Sequence, residues 1–200
     1  MKQPFGVILA GGQATRMGGG DKGLLRLGQQ SILAHVIERL SPQVSDLALN
    51  ANGDAKRFSD IDLSVLPDSI DGFAGPLAGV LAGLDWAAAH GADTIVTAAA
   101  DTPFFPGDLV PRLLLASEGM IHPLVLAATP DATRGRVRHP TFGLWPVALR
   151  DDLRRALDGG LRKVVMWTEQ HAGREALFPH ADAFFNINTP EDLTRAEDLI

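Results

Sequence analysis

The sequence predicts an α/β protein: a three-layer α/β/α arrangement around a mostly parallel twisted sheet, in a single domain. Three observations carry this expectation. Short apolar runs alternate with helix-like stretches through the first part of the chain. Those runs are apolar on both faces, as strands covered by helices on each side must be. No repeat, low-complexity segment or long polar linker divides the 200 residues. A chain of this length buries roughly 70% of its unfolded surface, so its core needs no staple.

The elements follow in order. Phe5 to Ala10 reads as a buried first strand, and residues 31–40 as an amphipathic helix with Ile32, Val36 and Ile37 on one face. Residues 46–50 and 63–66 are the expected second and third strands. Residues 76–90 are rich in Ala and Leu at helical spacing, with Gly91 as a stop. A fourth strand is expected at 94–98 and a helix at 107–115. Beyond Leu124 the alternation loosens, with strands expected at 124–128, 140–145 and 174–178 and helices at 147–157 and 162–171. Thr189, Pro190, Glu191 and Asp192 start a helix by chemistry: a capping hydroxyl, proline at the first helical position and carboxylates at the positive dipole end. That last helix is expected to run to the C-terminus. The order is Rossmann-like.

Composition narrows the function classes. There is no cysteine, which removes disulfides, thiolate metal sites and cysteine nucleophiles. The net charge of −6, from 18 basic and 24 acidic side chains, argues against a dedicated nucleic-acid binder. It leaves room for a small phosphorylated substrate. The start lacks a signal-peptide pattern and the apolar runs fall short of the ~18 residues that cross a membrane, so a cytoplasmic protein without a membrane partner is expected. No histidine pair has zinc-ligand spacing. Trp86, Trp145 and Trp167 lack the aromatic-basic clustering of nucleic-acid stacking and are expected in the core or at its rim.

The 21 glycines are the compositional outlier. Five of the fourteen residues from Leu9 to Lys22 are glycine, in two clusters separated by Arg16. Glycine clusters let backbone amides converge on one point, and Arg16 and Lys22 meet an anion there. At the C-terminal end of a parallel strand, this reads as a triphosphate cradle. It is neither a P-loop nor a dinucleotide fingerprint, because Lys22 stands between Asp21 and Gly23 and the G-x-G-x-x-G spacing is missing.

Polar residues recur where other strands end. Asp101 follows the fourth strand, where one carboxylate facing a phosphate cradle suits Mg²⁺; a turn aspartate before Pro103 fits the position too. Asn50 and Asp68 end the second and third strands and are equally ordinary turn formers. Gly75, Pro76 and Leu77 open a helix whose first amides suit an anion or a base edge. Gly79 and Gly83, four apart, serve close packing of helix on sheet as well. Arg134, Arg136, Arg138 and His139 concentrate positive charge in a loop before the 140–145 strand. Asn186 and Asn188 either orient a substrate or close the sheet.

Taken together, Leu9-Ala10-Gly11-Gly12, Arg16-Met17-Gly18-Gly19 and Asp21-Lys22 resemble the signature loop of the nucleotidyltransferases that activate small molecules with NTPs. The Ala-Gly-Gly start and Gly-Gly-x-Asp-Lys ending are similar to the molybdenum cofactor guanylyltransferases; the pyrimidine-using relatives more often carry Ala-Ala-Gly. The resemblance extends through Asn50, Asp68, Gly75 to Gly79, Asp101 to Pro103, His139 to Thr141 and Asn186 to Leu193. It implies a nucleotide-diphospho-sugar transferase-like fold, with residues 1–110 as the nucleotide half and 111–200 as the molybdopterin half. It implies GTP contacts at Leu9, Ala10, Gly11, Gly12, Lys22, Asn50, Asp68, Gly75, Pro76, Leu77 and Asp101. Asp101 is the implied Mg²⁺ ligand, and Lys22 and Arg16 the cations that neutralise the leaving pyrophosphate. Arg136, Arg138, His139, Asn186 and Asn188 are the expected molybdopterin side. The implied activity is GMP transfer from GTP to molybdenum-molybdopterin by a monomer, with transient contacts to molybdenum-insertion proteins and molybdoenzyme chaperones. Rival readings are a related enzyme using CTP or a sugar phosphate acceptor, and a sensor that binds GTP without turnover.

Overall fold

The computed structural model describes residues 2–11, 21–70, 72 and 75–200. In chain order its elements are β1 (Phe5–Leu9), β2 (Arg26–Leu27), β3 (Gln30–Ser31), α1 (Ile32–Leu40), β4 (Leu47–Asn50), β5 (Ser64–Leu66), α2 (Pro76–Ala89) and β6 (Thr94–Ala99). They continue with α3 (Leu109–Ala116), β7 (Val125–Asp131), β8 (Gly135–Pro146), α4 (Arg150–Asp158), α5 (Val164–Gln170), β9 (Arg174–Leu177) and α6 (Pro190–Glu197). Seven strands form one sheet in the order β5-β4-β1-β6-β8-β7-β9. Only β8 runs against the others.

Alternation along the strands divides the core in two, because successive side chains point to opposite faces. Ile8, Val96 and Leu144 join Leu33, Val36 and Leu113 under α1 and α3. Val7, Ile95 and Trp145 join Val80, Leu84, Leu153 and Trp167 under α2, α4 and α5. Trp145 and Trp167 are fully buried, and Trp145 Nε1 donates to Thr97 Oγ1 at 2.9 Å. Helix α2 lies close on β1 because Gly79 and Gly83 face it. A Cβ at Gly83 would stand 2.7 Å from Val7 Cγ2, and one at Gly79 would overlap Asn50 and stand 2.9 Å from Leu9 Cδ2. Both glycines therefore do the packing work.

Local chemistry sets the helix starts. Ser31 Oγ accepts from Ala34 N to cap α1, and Thr189 and Asp192 form a capping box on α6. A small third cluster of Leu27, Ile32, Ile187 and Ala196 docks α6 and the β2–β3 hairpin on the rest. Helix α6 ends at Glu197, short of the C-terminus. The 147–157 stretch opens as a 3-10 turn before α4, and α5 begins at Val164.

The largest correction concerns β8. It starts at Gly135, five residues before the expected 140, so Arg136, Arg138 and His139 lie in a strand and not a loop. Pairing with β7 shifts register between Leu126 and Ala127. Pro140, which has no amide to donate, lies in the stretch that the shift skips. The hairpin then continues to Asp131 opposite Gly135, overhanging the sheet edge beyond Ala99 of β6.

Candidate active site

Register places the C-terminal ends of four parallel strands in one row. Leu66 pairs with Asn50, Asn50 with Leu9, and Leu9 with Ala99. Ligands bind at this edge in open α/β sheets. Leu9, Ala10 and Gly11 leave β1 here, with Ala10 N donating to Asn50 O at 2.8 Å. Gly12 and Arg16 lie outside the described residues. After them the chain re-enters through Asp21 and Lys22, the latter opening a 3-10 turn at Lys22–Leu24.

Lys22 and Asp101 come together at this edge. Lys22 Nζ lies 3.8 Å from Asp101 Oδ2, with the two side chains only 16% and 23% exposed. The amine donates to Asn188 Oδ1 at 2.5 Å. Burial pushes the Asp101 carboxyl above its ordinary value, against the opposing pull of Lys22 and of hydrogen bonds from Thr102 and Asn186. Ile187 N donates to Asp101 O at 2.9 Å. The segment before α6 thus braces both charged groups: Asn186 and Asn188 contact Asp101 and Lys22 directly, a role that their positions 85 and 166 residues away along the chain hide from sequence reasoning.

Asn50 and Asp68 form the other flank. Asn50, 3% exposed, donates Nδ2 to Leu66 O at 3.1 Å and to Asp68 Oδ1 at 2.9 Å. Gly75, at φ 153° and ψ 164°, precedes Pro76 and Leu77 in the first turn of α2. Because α2 runs back along the sheet, its positive end lies at the same edge. No group of three or more His, Asp or Glu placed to hold a metal occurs among the described residues. A single shielded carboxylate at a strand end fits a hard divalent cation whose other ligands are phosphate oxygens, not an all-protein cage.

The predicted molybdopterin residues divide. His139 faces the α3 side, where it stacks on Phe184 at 4.4 Å and shares a 2.9 Å hydrogen bond with Thr129 Oγ1. Burial holds its imidazole below the ordinary value, so it is neutral at pH 7. Arg138, one residue earlier, faces the opposite side and donates to Glu175 Oε1 at 2.5 Å and Glu169 Oε1 at 2.7 Å. Arg136 reaches Glu175 Oε2 at 3.4 Å. Arg134, Arg136, Arg138, Val165 and Glu175 line a cleft of about 750 Å³ on that side. The strand's two-residue period therefore separates the arginines from the histidine.

A glycine-flanked strand edge with a shielded Lys–Asp pair, on a mostly parallel seven-stranded sheet, is suited to hold a phosphorylated ligand together with a divalent cation. The model of the MobA-like NTP transferase domain matches residues 6–173, and the chain belongs to that family. A protein named molybdenum cofactor guanylyltransferase from Cereibacter sphaeroides is 52% identical, the alignment covering 98% of this chain and 96% of that one. One of the same name from Bradyrhizobium sp. is 50% identical over 97% of this chain and 92% of its own length. The solved molybdopterin-guanine dinucleotide biosynthesis protein A of Archaeoglobus fulgidus shares the fold at TM-score 0.74 and 24% identity, covering 98% and 97% of the two chains. Nucleotidyltransferases of this family generally use a divalent metal. No helix among the described residues is long and apolar enough to cross a membrane.

Proposed function

We propose that this protein transfers GMP from GTP to the phosphate of molybdenum-molybdopterin, forming a molybdopterin guanine dinucleotide and releasing pyrophosphate. The Lys22–Asp101 pair, braced by Asn188 and Asn186 at the strand edge, is the observation that carries it. Identity of 50–52% to proteins named for this guanylyl transfer supports the choice of GTP.

An acceptor phosphate oxygen attacks the α-phosphorus in line, a new P–O bond forms, and the bridging α–β bond breaks with its electron pair leaving on pyrophosphate. The nucleophile is ionised at neutral pH, so no general base is required, and positioning and electrostatics supply the catalysis. Lys22, held by Asn188, faces the charge that develops on the leaving group, with Arg16 from the glycine loop as the second cation. Asp101 would hold Mg²⁺, which when bound would supply screening of the phosphates and polarisation of the reacting phosphorus. Leu9, Ala10, Gly11, Gly12 and the first turn of α2 at Gly75, Pro76 and Leu77 receive the nucleotide, and Asn50 and Asp68 hold its base side. His139, Asn186 and Asn188 form the acceptor side, His139 as a neutral hydrogen-bonding group. Arg136 and Arg138 lie on the opposite face of β8 from His139, and they reach an acceptor phosphate only where it extends past the strand edge to that face and takes the place of Glu175 and Glu169. The cytoplasm is the compartment this reading expects, and a monomer the working unit.

The test is a panel of four NTPs with Mg²⁺ and molybdenum-molybdopterin, read by pyrophosphate release beside the shift in Tm that each NTP produces. Release with GTP alone is expected. Release with CTP and not GTP would sink the guanylyl assignment in favour of cytidylyl transfer, and nucleotide binding without release would favour a sensor.

A further inference from the structure

The two ends of the glycine-rich segment are tied to the last residue of β4 and to the turn that follows it. At its start Ala10 N donates to Asn50 O. At its end the Asp21 carboxylate accepts from Arg57 Nε in the 3-10 turn Ala55–Phe58. Arg57 commits its other two nitrogens to the residues leading into that turn: Nη1 donates to Asp54 O at 2.7 Å and Nη2 to Asn52 O at 2.5 Å. Its guanidinium lies 4.5 Å from the centroid of the Phe58 ring, which is buried in the main core. Gly53, at φ 86°, lets the turn aim both carbonyls at one side chain.

From Asn52 the network runs on into the nucleotide flank. Asn52 Nδ2 donates to Asp68 Oδ2 at 2.8 Å, and Asp68 N donates back to Asn52 Oδ1 at 2.9 Å. Asp68 also accepts from Asn50. In the other direction, Asp21 is the immediate neighbour of Lys22. One guanidinium therefore joins the Asn50–Asp68 pair to the Lys22–Asp101 pair.

We propose that Arg57 is a positioning residue of the nucleotide site: through Asp21 and Asn52 it fixes the spacing between the base-side pair and Lys22, and so the alignment of the α-phosphate. The inference rests on the nucleotidyltransferase reading of that site. A planar fork with three directed donors suits the task, whereas a lysine keeps the charge but cannot hold Asp21 and both carbonyls together.

The experiment compares full-length Arg57→Lys, Arg57→Ala and Asp21→Asn proteins, and the Arg57→Ala/Asp21→Asn double variant, with wild type. Each is assayed with whichever NTP the wild type uses best, well below every variant's Tm. Arg57→Lys is expected to keep a near-wild-type Tm while kcat/KM for the nucleotide falls ~10- to 100-fold, the range that small misplacements produce. KM for the acceptor should stay unchanged, and the double variant should be no worse than Arg57→Ala alone. Wild-type kcat/KM in Arg57→Ala, a raised KM for the acceptor, or additive losses in the double variant would overturn the inference. A wild type that prefers CTP revises only the guanylyl assignment, leaving this comparison intact; one that binds no NTP sinks both.

Discussion

Asp101 is held between opposing forces of similar size. At 3.8 Å its attraction to Lys22 is about 4 kcal/mol at an effective dielectric of about 20, while withdrawing a carboxylate from water costs several kcal/mol. Burial prevails, and the carboxyl lies above its ordinary value of 3.8. A raised carboxyl favours the fold fully below the unfolded value and loses that contribution as pH rises through the folded one. At neutral pH the ionised group is therefore kept at the expense of stability. Asp101→Asn should unfold at a Tm equal to or above that of wild type at neutral pH, the gap closing as pH falls toward 3.8, while turnover drops by about 10²-fold or more. Thermal denaturation across pH beside a pyrophosphate assay checks both; a lower Tm at neutral pH would contradict the balance drawn here.

At the scale of elements, the β7–β8 hairpin is where local sequence and tertiary structure part. Gly135 to Arg138 is short of apolar residues and rich in charge, so its pattern reads as a loop, yet Glu175 of β9 and Glu169 of α5 hold it as a strand from over thirty residues away. The first-half strands were legible because their apolar runs are local. Asn50, Asp68 and Asp101 were legible because they lie at or just past strand ends, and Lys22 because it closes a glycine-rich run. Arg57 was not, since its partner Asp21 lies 36 residues off and nothing in Ala55–Phe58 marks it. Hydrogen bonds from Arg138, and then from Arg136, hold the Glu175 carboxyl below its ordinary 4.5 in spite of some burial. A lowered carboxyl stabilises above the unfolded value and ceases to as pH falls through the folded one. Amide protection factors in residues 134–139, corrected for the intrinsic pH dependence of exchange, should therefore fall on acidification below pH 4.5, and Glu175→Gln should show that lower protection already at neutral pH. High, pH-independent protection in both proteins would show that backbone pairing alone holds the hairpin.

Across the whole molecule, the two proposed halves share one sheet and two cores. Strand β6 of the first half pairs with β1 on one side and β8 of the second half on the other. Trp145 of β8 packs with Ile95, Val80 and Leu84, and Phe142 with Phe105. The segment before α6 returns to the first-half edge, burying Ile187 against Leu27 and Ile32. Cutting after residue 110 would expose one edge of the fully buried β6 and strip Trp145 from its neighbours. Removing one such large side chain from a core costs about 3–5 kcal/mol, a large share of the 5–15 kcal/mol that stabilises a typical domain, and the cut removes Leu144, Leu153 and Trp167 with it. The intact protein should accordingly unfold in a single calorimetric transition, with van't Hoff and calorimetric enthalpies equal. A 1–110 fragment should lack a cooperative melt and bind no nucleotide. Two resolved transitions in the intact chain, or a folded fragment that binds NTP, would show that the halves carry separate cores despite the shared sheet.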